Sequence, residues 1–274
     1  MTVFGPYGYL AFSAFVLLGG LCIGSFLNVC IWRIPRGESI AWPGSHCPKC
    51  GHAIAWYDNI PLVSWVVLGG KCRHCRAPIS ARYFTVELLT GTLFTWLWLR
   101  HGATAATAVY CFYAGALVFA SFVDFDHLIL PDRVTIGGMI SGPVVSVLVP
   151  EMQGEAEWPG ALVSSLLGLG AGFGLLWLVG LVGRAILKRD AMGFGDVKLL
   201  GAIGACLGWR AVLFCVLVSS LSGTLAGLGM VAAGRKDLQG RIPYGPHLAL
   251  AAVLWMLYGP AWVGAYWRWA TGGF

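Results

Sequence analysis

The sequence predicts an all-α polytopic membrane protein of about eight transmembrane helices, with a small cytoplasmic insert between the first two. Three observations carry that reading. The chain of 274 residues is 58% hydrophobic and only 11% charged, with a mean hydropathy of +0.75, whereas a soluble domain carries about 25% charged residues. Its apolar runs recur at lengths near the roughly 20 residues that a helix needs to cross a bilayer. Its 39 glycines are scattered through those runs, as small residues are where helices pack closely in lipid.

The expected spans, in order, are 8–32, 83–100, 104–123, 134–150, 160–183, 196–208, 211–233 and 246–266. The first lacks a basic leader and continues past any plausible cleavage site, so it reads as a span rather than a removed signal. The sixth is short and rich in glycine, which suits a tilted or partly re-entrant helix. Only 33–82 forms a long polar stretch. The chain therefore divides into a first transmembrane helix (1–33), a cysteine-bearing segment (34–82) and a membrane core (83–274).

Charge sets the orientation. With both termini outside, all of the 18 Lys and Arg residues except Arg100, Arg210 and Arg268 fall in cytoplasmic loops, as the positive-inside bias requires. The acidic loop 151–159 then lies outside. The net charge of +6 follows the membrane and is no sign of a nucleic-acid partner. Trp residues near several span ends fit an interfacial belt.

Of the nine cysteines, Cys22, Cys30, Cys111, Cys206 and Cys215 lie in apolar runs and read as small buried hydrophobes. The other four form C-P-K-C (Cys47, Cys50) and C-R-H-C (Cys72, Cys75). Two such knuckles can place four thiolates at the corners of a tetrahedron, the geometry zinc prefers. A reducing cytoplasm disfavours a structural disulfide, and a redox pair is the alternative. Four sulfur ligands leave no position for water, so the zinc of this ribbon-like insert is expected to be structural. His46, His52 and His74 flank the knuckles and read as surface residues.

The 12 acidic residues can be sorted singly. Glu151, Glu155 and Glu157 are outside; Glu38, Asp58, Asp190 and Asp237 belong to cytoplasmic loops, where solvation is the default. Glu87 lies early in the second span. Asp124, Asp126 and Asp132 cluster in SFVDFDHLILPD, and Asp196 opens the sixth span in GFGDVK. Ionisable groups in or against a span are costly and mark function by default. Asp124 and Asp196 both fall where a span meets the cytoplasmic face. Packed together, they cannot both ionise easily, so the pair would hold one proton. One carboxylate could then take a proton from water while the other gives one to a scissile carbonyl, as in aspartic proteases. Gly193 and Gly195 offer backbone freedom and room for a close approach; an ordinary capping role for Asp196 is the plainer alternative. A proton-coupled transporter could use the same aspartates, but its site would lie near mid-membrane.

The stretches GSFLNVCIWRIPRGESI (24–40), HCPKC, 59–91, SFVDFDHLILPD (121–132), GFGDVKLLGAIGA (193–205) and YGPHLALAA (244–252) together resemble the type IV prepilin peptidases. The resemblance runs over nearly the whole chain. It implies a peptidase core at 83–274 in the bacterial inner membrane, acting on prepilins and type II secretion pseudopilins at the cytoplasmic face. It implies catalytic aspartates at Asp124 and Asp196. Asp126, two residues on, points about 160° away on a helix, and Asp132 follows Pro131 as a turn or cap. It further implies that the new N-terminal residue is N-methylated with S-adenosylmethionine. No glycine-rich dinucleotide fingerprint is present, and Gly70, Lys71 and Glu87 are the expected methyl-donor residues. Glu87 could equally cap or snorkel.

Overall fold

A computed structural model describes residues 5–188, 192–234 and 243–271. Arg189, Asp190, Arg235, Lys236, Asp237 and Arg241, all assigned above to cytoplasmic loops, lie outside the described residues. Regular structure among the described residues is helical. The chain forms two compact units, residues 1–119 and 120–274, with the division inside one helix.

The first unit is built on two long helices, α1 (Pro6–Arg33) and α3 (Ala81–His101), with a short α2 (Val63–Val67) in the insert between them. Pro6 opens α1, where its missing N–H costs nothing. The Ser80 side chain caps α3 by accepting from the Arg82 N–H, and Gly102, at φ +69°, ends it. The two long helices pack backbone to backbone through glycine. A Cβ on Gly20 would lie 2.9 Å from the Gly91 Cα, and one on Gly24 would lie 2.7 Å from the Glu87 Cα. At one end of the pair the Trp98 indole N–H donates to the Ser13 hydroxyl, 3.0 Å, and stacks on Tyr9. At the other end the Asn28 amide donates to the Tyr83 carbonyl, 3.0 Å.

The next helix, α4 (Ala105–His127), begins in the first unit and ends in the second. The second unit then contains α5 (Asp132–Leu148), α6 (Trp158–Leu187), α7 (Phe194–Leu207), α8 (Trp209–Ala232) and α9 (Gly245–Ala270). Its centre is α7, in which Val197 and every residue from Leu199 to Leu207 is buried. Helices α5, α6, α8 and α9 all pack on it. Small residues allow this. A Cβ on Gly168 of α6 or on Gly204 of α7 would fall on the other's carbonyl oxygen, and one on Gly142 of α5 would lie 2.6 Å from the Ala205 carbonyl carbon. The last carbonyls of α7, which have no partner within the helix, are satisfied from outside it. Ser165 donates to the Ala205 carbonyl, 2.6 Å, and the Gln153 amide donates to the carbonyls of Ala205 and Cys206.

Among the described residues, eight helices of 14 residues or more lie at the positions expected for the spans. By length and composition five of these are apolar enough to cross a membrane: Tyr7–Arg36, Ala105–His127, Trp158–Ile186, Trp209–Ala232 and Gly245–Ala270. Of the other three, α5 and α7 are 17 and 14 residues long, and α3 carries Arg82, Glu87 and Arg100. Cys30, Cys206 and Cys215 are buried as expected, whereas Cys22 is exposed on α1.

Candidate active site

Three helix ends converge in the second unit. Asp124 sits in the last turn of α4, which Leu128 terminates in a left-handed conformation, φ +53°, its N–H bonded to the Asp124 carbonyl. The connection 128–131 then carries Leu130 inward, where it is buried. Asp196 lies in the first turn of α7, and Gly245 is the first residue of α9. Leu130 joins all three: a Cβ on Gly195 would lie 3.2 Å from the Leu130 Cβ, and one on Gly245 would lie 2.9 Å from the Leu130 Cδ2.

Asp124 is 5% exposed, and the Gly245 N–H donates to its Oδ2, 3.1 Å. Asp196 is half-buried and accepts from the Gly193 N–H. The two carboxylates are close enough for their charges to interact. Asp126 is exposed, on the other side of α4. Asp132 forms an ion pair with Lys198 of α7 and receives a long contact from the Thr135 hydroxyl. The helical period therefore places Asp124 and Asp126 in different surroundings, and Asp132 has a cationic partner of its own. Two neighbouring carboxylates such as Asp124 and Asp196 can bind a water molecule and pass protons to and from it.

The glycines before Asp196 serve space rather than backbone freedom. Gly193 has φ −69°, open to any residue, and Gly195 lies within α7. A Cβ on Gly193 would lie 3.0 Å from the Asp196 Oδ2. These residues make room for a carboxylate and for Leu130.

Sequence reasoning did not identify Gly245 as a partner of Asp124, nor the polar contacts around it. The Tyr244 hydroxyl lies 2.7 Å from the Ser219 hydroxyl, and the His247 Nδ1 lies 3.1 Å from the Ser222 hydroxyl. These two contacts fasten the start of α9 to α8 on either side of Gly245. The polar residues Tyr-Gly-Pro-His at the head of an apolar run were the available signal.

The first unit holds a second cluster. The sulfur atoms of Cys47, Cys50, Cys72 and Cys75 lie within 4.8 Å of one another. The two knuckles repeat one backbone pattern. The Cys47 and Cys72 N–H groups bond to the carbonyls of His52 and Ala77, and their carbonyls accept from the N–H groups of Gly51 and Arg76, both at positive φ. Backbone N–H groups of Cys50 and Lys49 pull the Cys47 thiol down to about 6, whereas the Cys50 thiol beside it, although the His52 backbone lowers it, is pushed up to about 11 by burial and by Cys75 and Cys47. The Cys47 and Cys75 sulfurs are 3.8 Å apart, the edge expected of a tetrahedron with metal–sulfur bonds of about 2.3 Å. His46, His52 and His74 are exposed, and the rings of His52 and His74 stack. Asp58 departs from the solvated expectation. Arg73, inside the second knuckle, grips it with two hydrogen bonds of 2.7 Å and holds its carboxyl below the usual range.

Beside the cysteines is a cavity of about 510 Å³ lined by Ser25, Asn28, Arg33, Trp65, Tyr83 and Glu87, among others. Glu87 is buried, accepting from the Leu62 N–H, 2.8 Å, and from the Ser25 hydroxyl. Gly70 and Lys71 do not line this cavity, but Gly70, at φ +65°, lies against the Trp65 ring that does.

Residues 18–101 match the family described as the bacterial peptidase A24 N-terminal domain, and residues 111–228 match the type IV leader peptidase family. The chain is 35% identical over 278 residues to the prepilin leader peptidase/N-methyltransferase of Aeromonas hydrophila, covering 92% of each. The chain belongs to the type IV leader peptidase family. It is also 33% identical to the protein of the same name from Pseudomonas aeruginosa, covering 91% of each. Identity rises to 41% over 230 residues with that of Myxococcus xanthus, where the match spans 84% of this chain but 65% of the relative's own length. No solved structure matches the chain. Within the leader peptidase frame, the N-terminal match contains the four knuckle cysteines and Glu87, and the second match contains Asp124 and Asp196. Gly245 lies beyond both.

Proposed function

We propose that this protein is a membrane aspartic endopeptidase that removes the leader of type IV prepilins and type II secretion pseudopilins, then N-methylates the new N-terminal residue. The observation that carries the reading is the buried Asp124, with Asp196 close enough for their charges to interact. Asp124 and Asp196 together hold the attacking water. One carboxylate takes its proton, the other protonates the scissile carbonyl, and no acyl-enzyme forms. The Gly245 N–H fixes the orientation of Asp124.

The membrane reading is the eight-span one, with both termini outside and segment 34–82 and the aspartates at the cytoplasmic face of a bacterial inner membrane. The helix positions and the charge asymmetry support it. A structural zinc is held by Cys47, Cys50, Cys72 and Cys75, supported by their mutual spacing.

S-adenosylmethionine supplies a sulfonium-bound methyl group for the second reaction. The cavity of about 510 Å³ supports a donor site in the first unit, since sites for such ligands measure about 300–1,000 Å³. Glu87 lines it, Gly70 backs the Trp65 wall, and Lys71 opens the second knuckle. The test is incubation of purified protein with a prepilin and S-adenosylmethionine, followed by intact mass. Loss of the leader plus one methyl group is the expected product. A cleaved, unmethylated product would leave a peptidase alone, and an uncleaved one would overturn the reading.

A further inference from the structure

We infer that Glu87 is the residue that binds the free α-amino group of the cleaved chain and takes its proton before methyl transfer. The inference rests on the methyltransferase part of the reading above.

Glu87 is the buried carboxylate of the cavity. The other acids in its lining are differently placed: Asp58 is committed to Arg73, and Glu38 is exposed. Glu87 has two neutral donors, the Leu62 N–H and the Ser25 hydroxyl. Among the described residues no cation pairs with it. Arg33, also in the lining, donates instead to the carbonyls of Ser39 and Gly44. A buried carboxylate with no cationic partner is costly, and at the wall of a cavity it suits a ligand that brings the positive charge.

Both methylation reactants are cations, an ammonium and a sulfonium. A carboxylate held against the sulfonium would stabilise the ground state and slow its loss of charge. Held against the ammonium it performs a necessary step, because a protonated amine has no lone pair with which to attack. Glu87 lies in the second turn of α3, where the insert returns to the long helices. The proton moves from the ammonium to the Glu87 carboxylate. The nitrogen lone pair forms the new N–CH₃ bond as the S–CH₃ bond breaks, and that electron pair stays on sulfur, leaving a neutral thioether. The product is a methylammonium, and Glu87 returns its proton to water.

The test uses the full-length protein with Glu87→Gln and Glu87→Asp. Binding is measured without methyl donor, for a peptide with a free N-terminal amine and for its N-acetylated twin. Wild type should prefer the free amine by about tenfold or more, Glu87→Gln should lose that preference, and Glu87→Asp should retain part of it. In the prepilin assay Glu87→Gln should methylate at least about 100-fold more slowly. Cleavage in the same sample reports folding. Methylation by Glu87→Gln within about twofold of wild type, or an amine preference unchanged by it, would overturn the inference while leaving the methyltransferase reading intact. A wild type that cleaves without methylating would overturn that reading instead. Should Glu87→Gln fail to fold, the inference stands or falls on the wild-type preference and on Glu87→Asp; equal binding of the two peptides by wild type sinks it.

Discussion

The Gly245 N–H reaches across from the start of α9 to the Asp124 Oδ2 at the end of α4, 3.1 Å away. This contact joins residues 121 positions apart and leaves no space for a side chain. A Cβ on Gly245 would lie 2.8 Å from that oxygen and 2.9 Å from the Leu130 Cδ2. Gly245→Ala should therefore displace the Asp124 carboxylate. A misplacement of about 1 Å costs about 100-fold in rate, and a loss of about 10- to 100-fold in prepilin cleavage is expected, with the helical content retained. Wild-type turnover by Gly245→Ala would show that this hydrogen bond does not position Asp124.

Asp132 offers the opposite case. It pairs with Lys198 while its side chain is 61% exposed, and exposed pairs contribute about 0–1 kcal/mol. Asp132→Asn should cleave within about threefold of wild type and melt within a few degrees of it. A loss as deep as that of the dyad variants would make Asp132, not Asp124, the partner of Asp196.

The packing of α6 on α7 rests on Gly168 and Gly204, each lying against the other's backbone. Substitution of Gly204 by Ala forces a methyl group into a carbonyl oxygen. Overpacking of this kind costs about 1–3 kcal/mol. Because α7 carries Asp196 in its first turn, Gly204→Ala should lower both the melting temperature and the cleavage rate. A thermal midpoint equal to that of wild type would contradict the backbone contact.

The cysteine cluster predicts about one tightly bound zinc per chain, measurable by elemental analysis. Cys72→Ser should lose most of it. Cys47 and Cys72 line the cavity that also holds Glu87, whereas Asp124 and Asp196 belong to the other compact unit. Metal loss should thus depress methylation more than cleavage. Equal loss of both would place the metal in the service of the whole fold.

Much of this architecture is legible in the sequence because its signals are local. A helix must bury an apolar stripe, and its ends are marked by Ser80, Gly102, Pro131 and Gly208. Hydropathy alone therefore placed eight helices within a few residues of their observed bounds. The separation of buried Asp124 from exposed Asp126 follows from helical period, and the knuckles follow from the Cys-x-x-Cys spacing. Hydrogen bonds between separate elements were not legible. The bond from Gly245 to Asp124, the hold of the Leu62 N–H on Glu87 and the grip of Arg73 on Asp58 each join residues from different elements. No periodicity encodes them. At Gly193 the sequence left two readings open for the same reason: a glycine needed for the space around Asp196 has the same letter as one needed for its φ angle.

The proposed reaction requires Asp124 and Asp196 to act together on one peptide bond. The most direct test is intact-mass analysis of a prepilin incubated with wild type, Asp124→Asn, Asp196→Asn and the double variant. Members of one catalytic unit are strongly non-additive. Each single variant should therefore abolish leader removal, and the double variant should be no worse than either. Cleavage by a folded Asp124→Asn or Asp196→Asn protein at more than about a hundredth of the wild-type rate would exclude this paired role.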